Sequence, residues 1–226
     1  MKNNKRLDDF SYLFEKKEEP KSDEVSPLAM KSIFFIFTLF LLLFPHYAPY
    51  GNPPVQNPSI LQNIFNLYFF ISNQTFGIVH EGGHGVCYLL PCPQFLTVIN
   101  GTIFQIMFPL GIAYYYKKKH NYLVMWIGVY FAGFTMHNTA WYISTAHEGA
   151  ILPAHKSFLG VDAYHDFHYI LNTLGVLKYD GVIASFVRVI AYGLMVVAVW
   201  KIYLLAFTSK NKETKSTRRV RSRRKR

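Results

Sequence analysis

The sequence predicts an all-α polytopic membrane protein with four to five transmembrane helices. Hydrophobic residues make up 51% of the 226. They fall in long blocks rather than at amphipathic spacing, which excludes an ordinary soluble domain. Basic charge is gathered at one terminus, where Lys210 to Arg226 holds ten Lys/Arg against the single Glu213.

The first block, Ser32 to Phe44, reads SIFFIFTLFLLLF. A crossing helix needs about 17–25 apolar residues, so this block is marginal. Lys31 and Pro45-His46 bound it, and a flanking lysine can snorkel to the interface. A charged tract precedes it and no small-residue cleavage site follows, so no cleavable signal peptide is expected. After Pro49, Pro53, Pro54 and Pro58, the second block runs from Ile60 to Leu90 and stops at Pro91. Further blocks span about Ile99 to Tyr116, Tyr122 to Ile143 and Gly181 to Phe207. The second, fourth and fifth are long enough to cross.

The membrane domain is therefore placed at residues 32–207, between a charged arm and a basic tail. The arm, residues 1–31, carries seven basic and seven acidic side chains and is expected to be solvated and disordered. The tail, residues 208–226, is expected to act as a cytoplasmic stop-transfer anchor drawn to anionic lipid headgroups. Nucleic acid is not expected as a partner, because the tail lacks interleaved aromatics and directly follows a membrane segment.

Cys87 and Cys92 flank Pro91 at a spacing that suits neither a disulfide framework nor a Cys-x-x-C zinc site. They are expected to be inert small apolar residues. The sequons Asn73-Gln74-Thr75 and Asn100-Gly101-Thr102 lie in or against apolar blocks and are taken as coincidence. Gly128 and Ala132 form a small-xxx-small face suited to helix packing.

The chemistry concentrates at His80-Glu81-Gly82-Gly83-His84. Positions i and i+4 stack on one helix face, so both imidazoles can present neutral nitrogens to one Zn²⁺ while Glu81 reaches a bound water. The metal lowers that water's pKa to roughly 7, and the glutamate takes the proton as it attacks a polarised carbonyl. Chance is a weak explanation here, because a membrane-buried ionisable residue costs about 2.5–3.5 kcal/mol and this turn holds three titratable groups.

A catalytic zinc needs a third protein ligand. Asp166 and His165, within Asp162-Ala163-Tyr164-His165-Asp166-Phe167-His168, are the first candidates, one as ligand and the other orienting it. Asp180, followed by Gly181, is a rival, and His147 and Glu148 are weaker ones. Asn100, Gln105, His137 and Asn138 interrupt apolar blocks. Such residues usually bond neighbouring helices; as functional groups they would hold substrate or donate to an oxyanion.

These residues resemble the site-2 protease family of intramembrane zinc metalloproteases, in particular its small, divergent bacterial relatives. The resemblance rests on FGIVHEGGHGV, on Asn100 to Gln105 followed by Pro109, and on His165-Asp166-Phe167 ahead of Leu171 and Leu174-Gly175-Val176-Leu177, together about residues 75 to 185. It implies a multi-pass protein of the bacterial inner membrane with His80 and His84 as zinc ligands, Glu81 as base and an aspartate as third ligand. It also implies peptide-bond hydrolysis in membrane-associated or transmembrane protein and peptide substrates. In the main family the aspartate sits in Asn-x-x-Pro-x-x-x-Leu-Asp-Gly. Asn172 to Gly181 keeps the interval but has Gly175 for the proline and Tyr179 for the leucine. The small relatives carry the acid in a His-Asp-aromatic setting, which favours Asp166 over Asp180.

A shared metal also requires an even number of crossings between His84 and the third ligand, which the third and fourth blocks supply. Lys117-Lys118-Lys119 then lies opposite the site, and if it is cytoplasmic the site faces outward. The family more commonly places its metal toward the cytoplasm, and the amino-terminal arm fits the outward arrangement poorly. The competing functional classes are a non-catalytic scaffold with a structural metal site and a membrane-tethered binder acting through its tail.

Overall fold

The computed structural model describes residues 25–47, 57–154, 156–157 and 161–208. The expected disordered arm lies outside them up to residue 24, and the basic tail from residue 209 on. Among the described residues there are six α-helices: α1 (Pro27–Tyr47), α2 (Ile60–Leu89), α3 (Gln94–Lys118), α4 (Tyr122–Ser144), α5 (Asp166–Thr173) and α6 (Asp180–Thr208). A two-stranded antiparallel hairpin, β1 (Ile151–Leu152) with β2 (Ala163–Tyr164), pairs Ile151 with Tyr164 and Leu152 with Ala163. Nothing in the apolar block pattern marked it.

Local chemistry sets the boundaries. Ser26 accepts from the Ala29 amide ahead of Pro27, whose missing N–H costs nothing in a first helical turn. Helix α1 therefore begins inside the segment expected to be a disordered arm, a correction to its boundary. Ser59 caps α2 through the Gln62 amide, and Asn121 caps α4 through the Val124 amide. Helix α2 ends at Leu89 because Leu90 precedes Pro91 and is held extended.

Among the described residues, three helical stretches are long and apolar enough to cross a membrane: Pro27–Tyr47, Gln94–Lys118 and Leu177–Thr208. The first block was expected to be marginal, yet it gains a turn before Lys31 and continues through Pro45. Helices α2 and α4, expected to be long enough, are outside the three. Both are long, but Asn, Gln, Ser, Thr and His side chains dilute their apolar character.

The cysteine expectation is overturned. Cys87 and Cys92 form a disulfide, with Cα atoms 5.2 Å apart. The turn through Leu90 and Pro91 reverses the chain, and five residues of separation become a close approach that spacing alone does not reveal.

An aromatic core holds the bundle together. Phe44, at 0% exposure, meets Phe69, Phe134 and His137 at ring separations of 5.7, 5.5 and 4.8 Å. Phe40 stacks on Phe65 at 5.0 Å. Such ring pairs contribute about 0.5–1.5 kcal/mol each beyond their buried area. A second cluster of Ile143, Ala146, Phe167, Ile170, Leu171 and Ala184 seats α5 against the ends of α4 and α6.

Small residues set the helix spacing. A Cβ on Gly133 would lie 2.7 Å from the Ala191 carbonyl oxygen and 2.8 Å from Met195 Cγ, so α4 and α6 touch through their backbones. A Cβ on Gly128 would meet Ala113 and the Pro109 carbonyl at 3.0 Å, across α3 and α4. Gly133→Ala is expected to destabilise the detergent-solubilised protein by about 1–3 kcal/mol, the usual range for overpacking. Thermal unfolding checks this, with Gly193→Ala, which meets open space, as the control.

Candidate metal centre

The site is built where α2 and α3 come closest. A Cβ on Gly83 would meet the Asn100 carbonyl oxygen at 2.5 Å and Gly101 Cα at 2.9 Å. The Asn100 side-chain amide donates to the Gly83 carbonyl at 2.7 Å, binding the two helices at that level. Across the contact, a Cβ on Gly101 would lie 2.5 Å from His84 Nε2 and 2.8 Å from His80 Nε2. Glycine at 83 lets the backbones meet, and glycine at 101 leaves room for both imidazoles.

Each imidazole is oriented through its Nδ1. That of His84 lies 2.8 Å from the Thr97 carbonyl, which only accepts, so Nδ1–H is the donor and, in the neutral imidazole, Nε2 carries the lone pair. That of His80 lies 3.1 Å from Gln105 Oε1 and takes the same tautomer. The two Nε2 atoms are 3.1 Å apart, and Asp166 Oδ2 stands 2.8 Å from His80 Nε2 and 3.4 Å from His84 Nε2. Burial pushes the Asp166 carboxyl up, but the contacts with His80 and His84 outweigh it and hold the group below the usual carboxylate range.

Two lone pairs and a carboxylate oxygen thus converge on one point, a donor set that could hold a metal ion. One proton can satisfy only one pair of these atoms, whereas a cation between them satisfies all three. Four-coordinate zinc with bonds of about 2.0–2.1 Å has ligand–ligand edges of roughly 3.3–3.4 Å, close to the observed triangle. The residues present therefore fit such an ion.

Asp166 reaches the centre because α5 is fastened to α4. Its backbone amide donates to the Tyr142 hydroxyl at 3.0 Å, and the Tyr142 ring stacks on His165 at 4.4 Å and 12°. His165 is not in the donor set. It caps α5 toward the His168 amide and contacts Thr145 Oγ1 at 3.1 Å, and burial pushes its imidazole down to about 4. Asp180 is also committed elsewhere: its Oδ2 takes the His147 amide at 3.1 Å and lies 2.5 Å from His147 Nδ1. Glu148 pairs with Lys156.

A cavity of about 1520 Å³ runs alongside, and His80, Glu81, His84 and Asp166 all face it. Gln105 and Asn138 line it too, with Asn138 near Asn73 Oδ1 at 3.4 Å. Asn100 and His137, considered above as substrate or oxyanion groups, are outside the lining: Asn100 is spent on Gly83, and His137 packs edge-on between Phe44 and Tyr192. Sequence reasoning missed Thr97, Gly101 and Tyr142. A backbone carbonyl, a space left by glycine and a tyrosine 24 residues from its partner in another helix leave no pattern in the chain. Comparison with protein-family models, curated proteins and solved structures finds no match.

Two outcomes are expected. The purified wild-type protein is expected to retain a metal ion; Gly101→Ala, whose methyl occupies the space of both Nε2 atoms, is expected to lose it, while Gly82→Ala, which meets nothing within 4 Å, keeps it. Elemental analysis of detergent-purified protein checks both. Asp166→Ala abolishes metal retention by the same measurement and Asp180→Ala does not; the reverse result would move the third ligand to the head of α6.

Proposed function

We propose that this protein is a membrane-embedded zinc-dependent endopeptidase, resembling the site-2 protease family, that hydrolyses peptide bonds of membrane-associated or transmembrane substrates. The observation that carries the proposal is the buried convergence of His80, His84 and Asp166 beside a cavity that Glu81 also faces. Zinc, when bound, supplies Lewis-acid polarisation of a carbonyl and acidification of water. Glu81 is one residue from His80 on the same turn and takes no part in the donor triangle, so its carboxylate is available as a general base. Gln105 and the Thr97 carbonyl hold both imidazoles in the ligating tautomer. Asn73 and Asn138 offer amides to a substrate backbone along the cavity wall.

Membrane insertion is supported by the outer surface. Ile64, Phe70 and Ile78 on α2, Met107 on α3 and Val182, Phe186, Val189 and Trp200 on α6 are all more than half exposed. Water does not tolerate a continuous apolar surface of this kind, and lipid does. With α1, α3, α4 and α6 as crossings the protein has four spans, the lower of the two numbers expected. A bacterial inner membrane is the setting the family resemblance implies.

Glu81→Gln separates enzyme from structural scaffold. It keeps shape and metal but loses the base, so turnover is expected to fall roughly 10²- to 10⁴-fold while zinc content stays at the wild-type level. The measurement is complementation of a deletion strain by wild-type, Glu81→Gln and His80→Ala forms at matched membrane levels. Full rescue by Glu81→Gln with failure of His80→Ala would assign the metal a structural role.

A further inference from the structure

The bundle gathers its carboxylates at one end, where only Lys156 and Lys178 accompany them, and most of its basic residues at the other. The start of α1 meets the last turns of α6: Lys31 Nζ is 5.3 Å from the Phe207 ring, and Phe34 lies 5.4 Å from Tyr203 and 5.6 Å from Phe207. Lys201 sits 5.9 Å over Trp126, near the start of α4. Lys117, Lys118 and Lys119 close this end at the α3–α4 turn, and the ten Lys/Arg of residues 210–226 follow α6 in sequence. The opposite end holds every carboxylate among the described residues: Glu81, Glu148, Asp162, Asp166 and Asp180. It also holds the Cys87–Cys92 disulfide, both of whose cysteines line the cavity.

The course of α2 removes the difficulty with the amino-terminal arm. Helix α1 leaves the basic end and stops at Tyr47, whose ring stacks on Phe65 at 5.4 Å and whose carbonyl accepts from the Gln62 side-chain Nε2 at 3.3 Å. Helix α2 thus starts beside the far half of α1 and runs to the disulfide end without returning to the basic one. The remaining helices α1, α3, α4 and α6 each run between the ends, so the chain enters and leaves on the basic side.

We infer that the His80–His84–Asp166 centre stands on the outer, oxidising face of its membrane and acts on the extracytoplasmic and outer-leaflet segments of membrane proteins. Two independent physical rules agree on the side. Basic flanks stay cytoplasmic during insertion, and disulfides form and persist in oxidising compartments. The disulfide has a structural task there, because it ties the last turn of α2 to the turn before α3, and the contact between those helices carries both imidazoles. The substrate class rests on the peptidase proposal, whereas the sidedness does not.

The test is maleimide labelling of the full chain in intact cells. Val161→Cys, exposed beside the hairpin, is expected to react with a membrane-impermeant maleimide, and Lys118→Cys only after permeabilisation. Cys87 and Cys92 of the wild-type chain should become reactive only after reduction. Labelling of Lys118→Cys with Val161→Cys protected, or free Cys87 and Cys92 thiols without reductant, overturns the inference. Labelling needs neither zinc nor turnover, so its failure is distinct from failure of the peptidase proposal, which the Glu81→Gln comparison decides. New protein termini found in wild-type but not Glu81→Gln membranes should map to extracytoplasmic segments; cytoplasmic termini would overturn the substrate class.

Discussion

Two imidazole lone pairs and a carboxylate oxygen held within 3.4 Å of one another are stable only with positive charge between them. The rest of the site is organised around that constraint. Thr97 and Gln105 take the Nδ1 protons, so the lone pairs have no direction available except the centre. Tyr142 takes the Asp166 amide and fixes where the carboxylate enters. Removing any of these supports would let a ligand turn away, which is why outer partners of metal ligands commonly govern affinity about 10- to 100-fold.

The constraint reaches into the helix packing. Imidazoles this close to a neighbouring helix leave no space for a side chain at position 101, and the backbone approach leaves none at 83. Glycine in a helix interior costs roughly 1 kcal/mol against alanine. The Asn100 amide on the Gly83 carbonyl and the disulfide just beyond it act against that loss. The polar groups that would be most costly in an apolar environment are thus the ones that hold α2 and α3 together.

The same region explains why α2 departs from a simple crossing helix. Its buried face carries Ser72, His80 and Gly83, and its other face carries large apolar side chains. At 30 residues this helix is longer than a bilayer core is thick. It leaves the aromatic core at Phe65 and Phe69 and arrives at the cavity with His80.

Much of this was legible in the chain itself. Apolar blocks mark helices because burial and lipid exposure act on local composition. The His80–His84 pair is legible because i and i+4 share a helix face whatever the surrounding fold. The stop of the second block at Pro91 follows from the restriction proline places on the residue before it. The tertiary structure decided what depends on residues far apart in sequence: that Asp166 meets the histidines while Asp180 turns to His147, that Asn100 is helix glue while Gln105 orients the His80 imidazole, and that Cys87 pairs with Cys92. The physical reason is the range of the forces. Periodicity and capping act within one or two turns, whereas a donor set spanning residues 80 to 166 exists only after four helices have packed, and the spaces at Gly83 and Gly101 set the distance at which they do so.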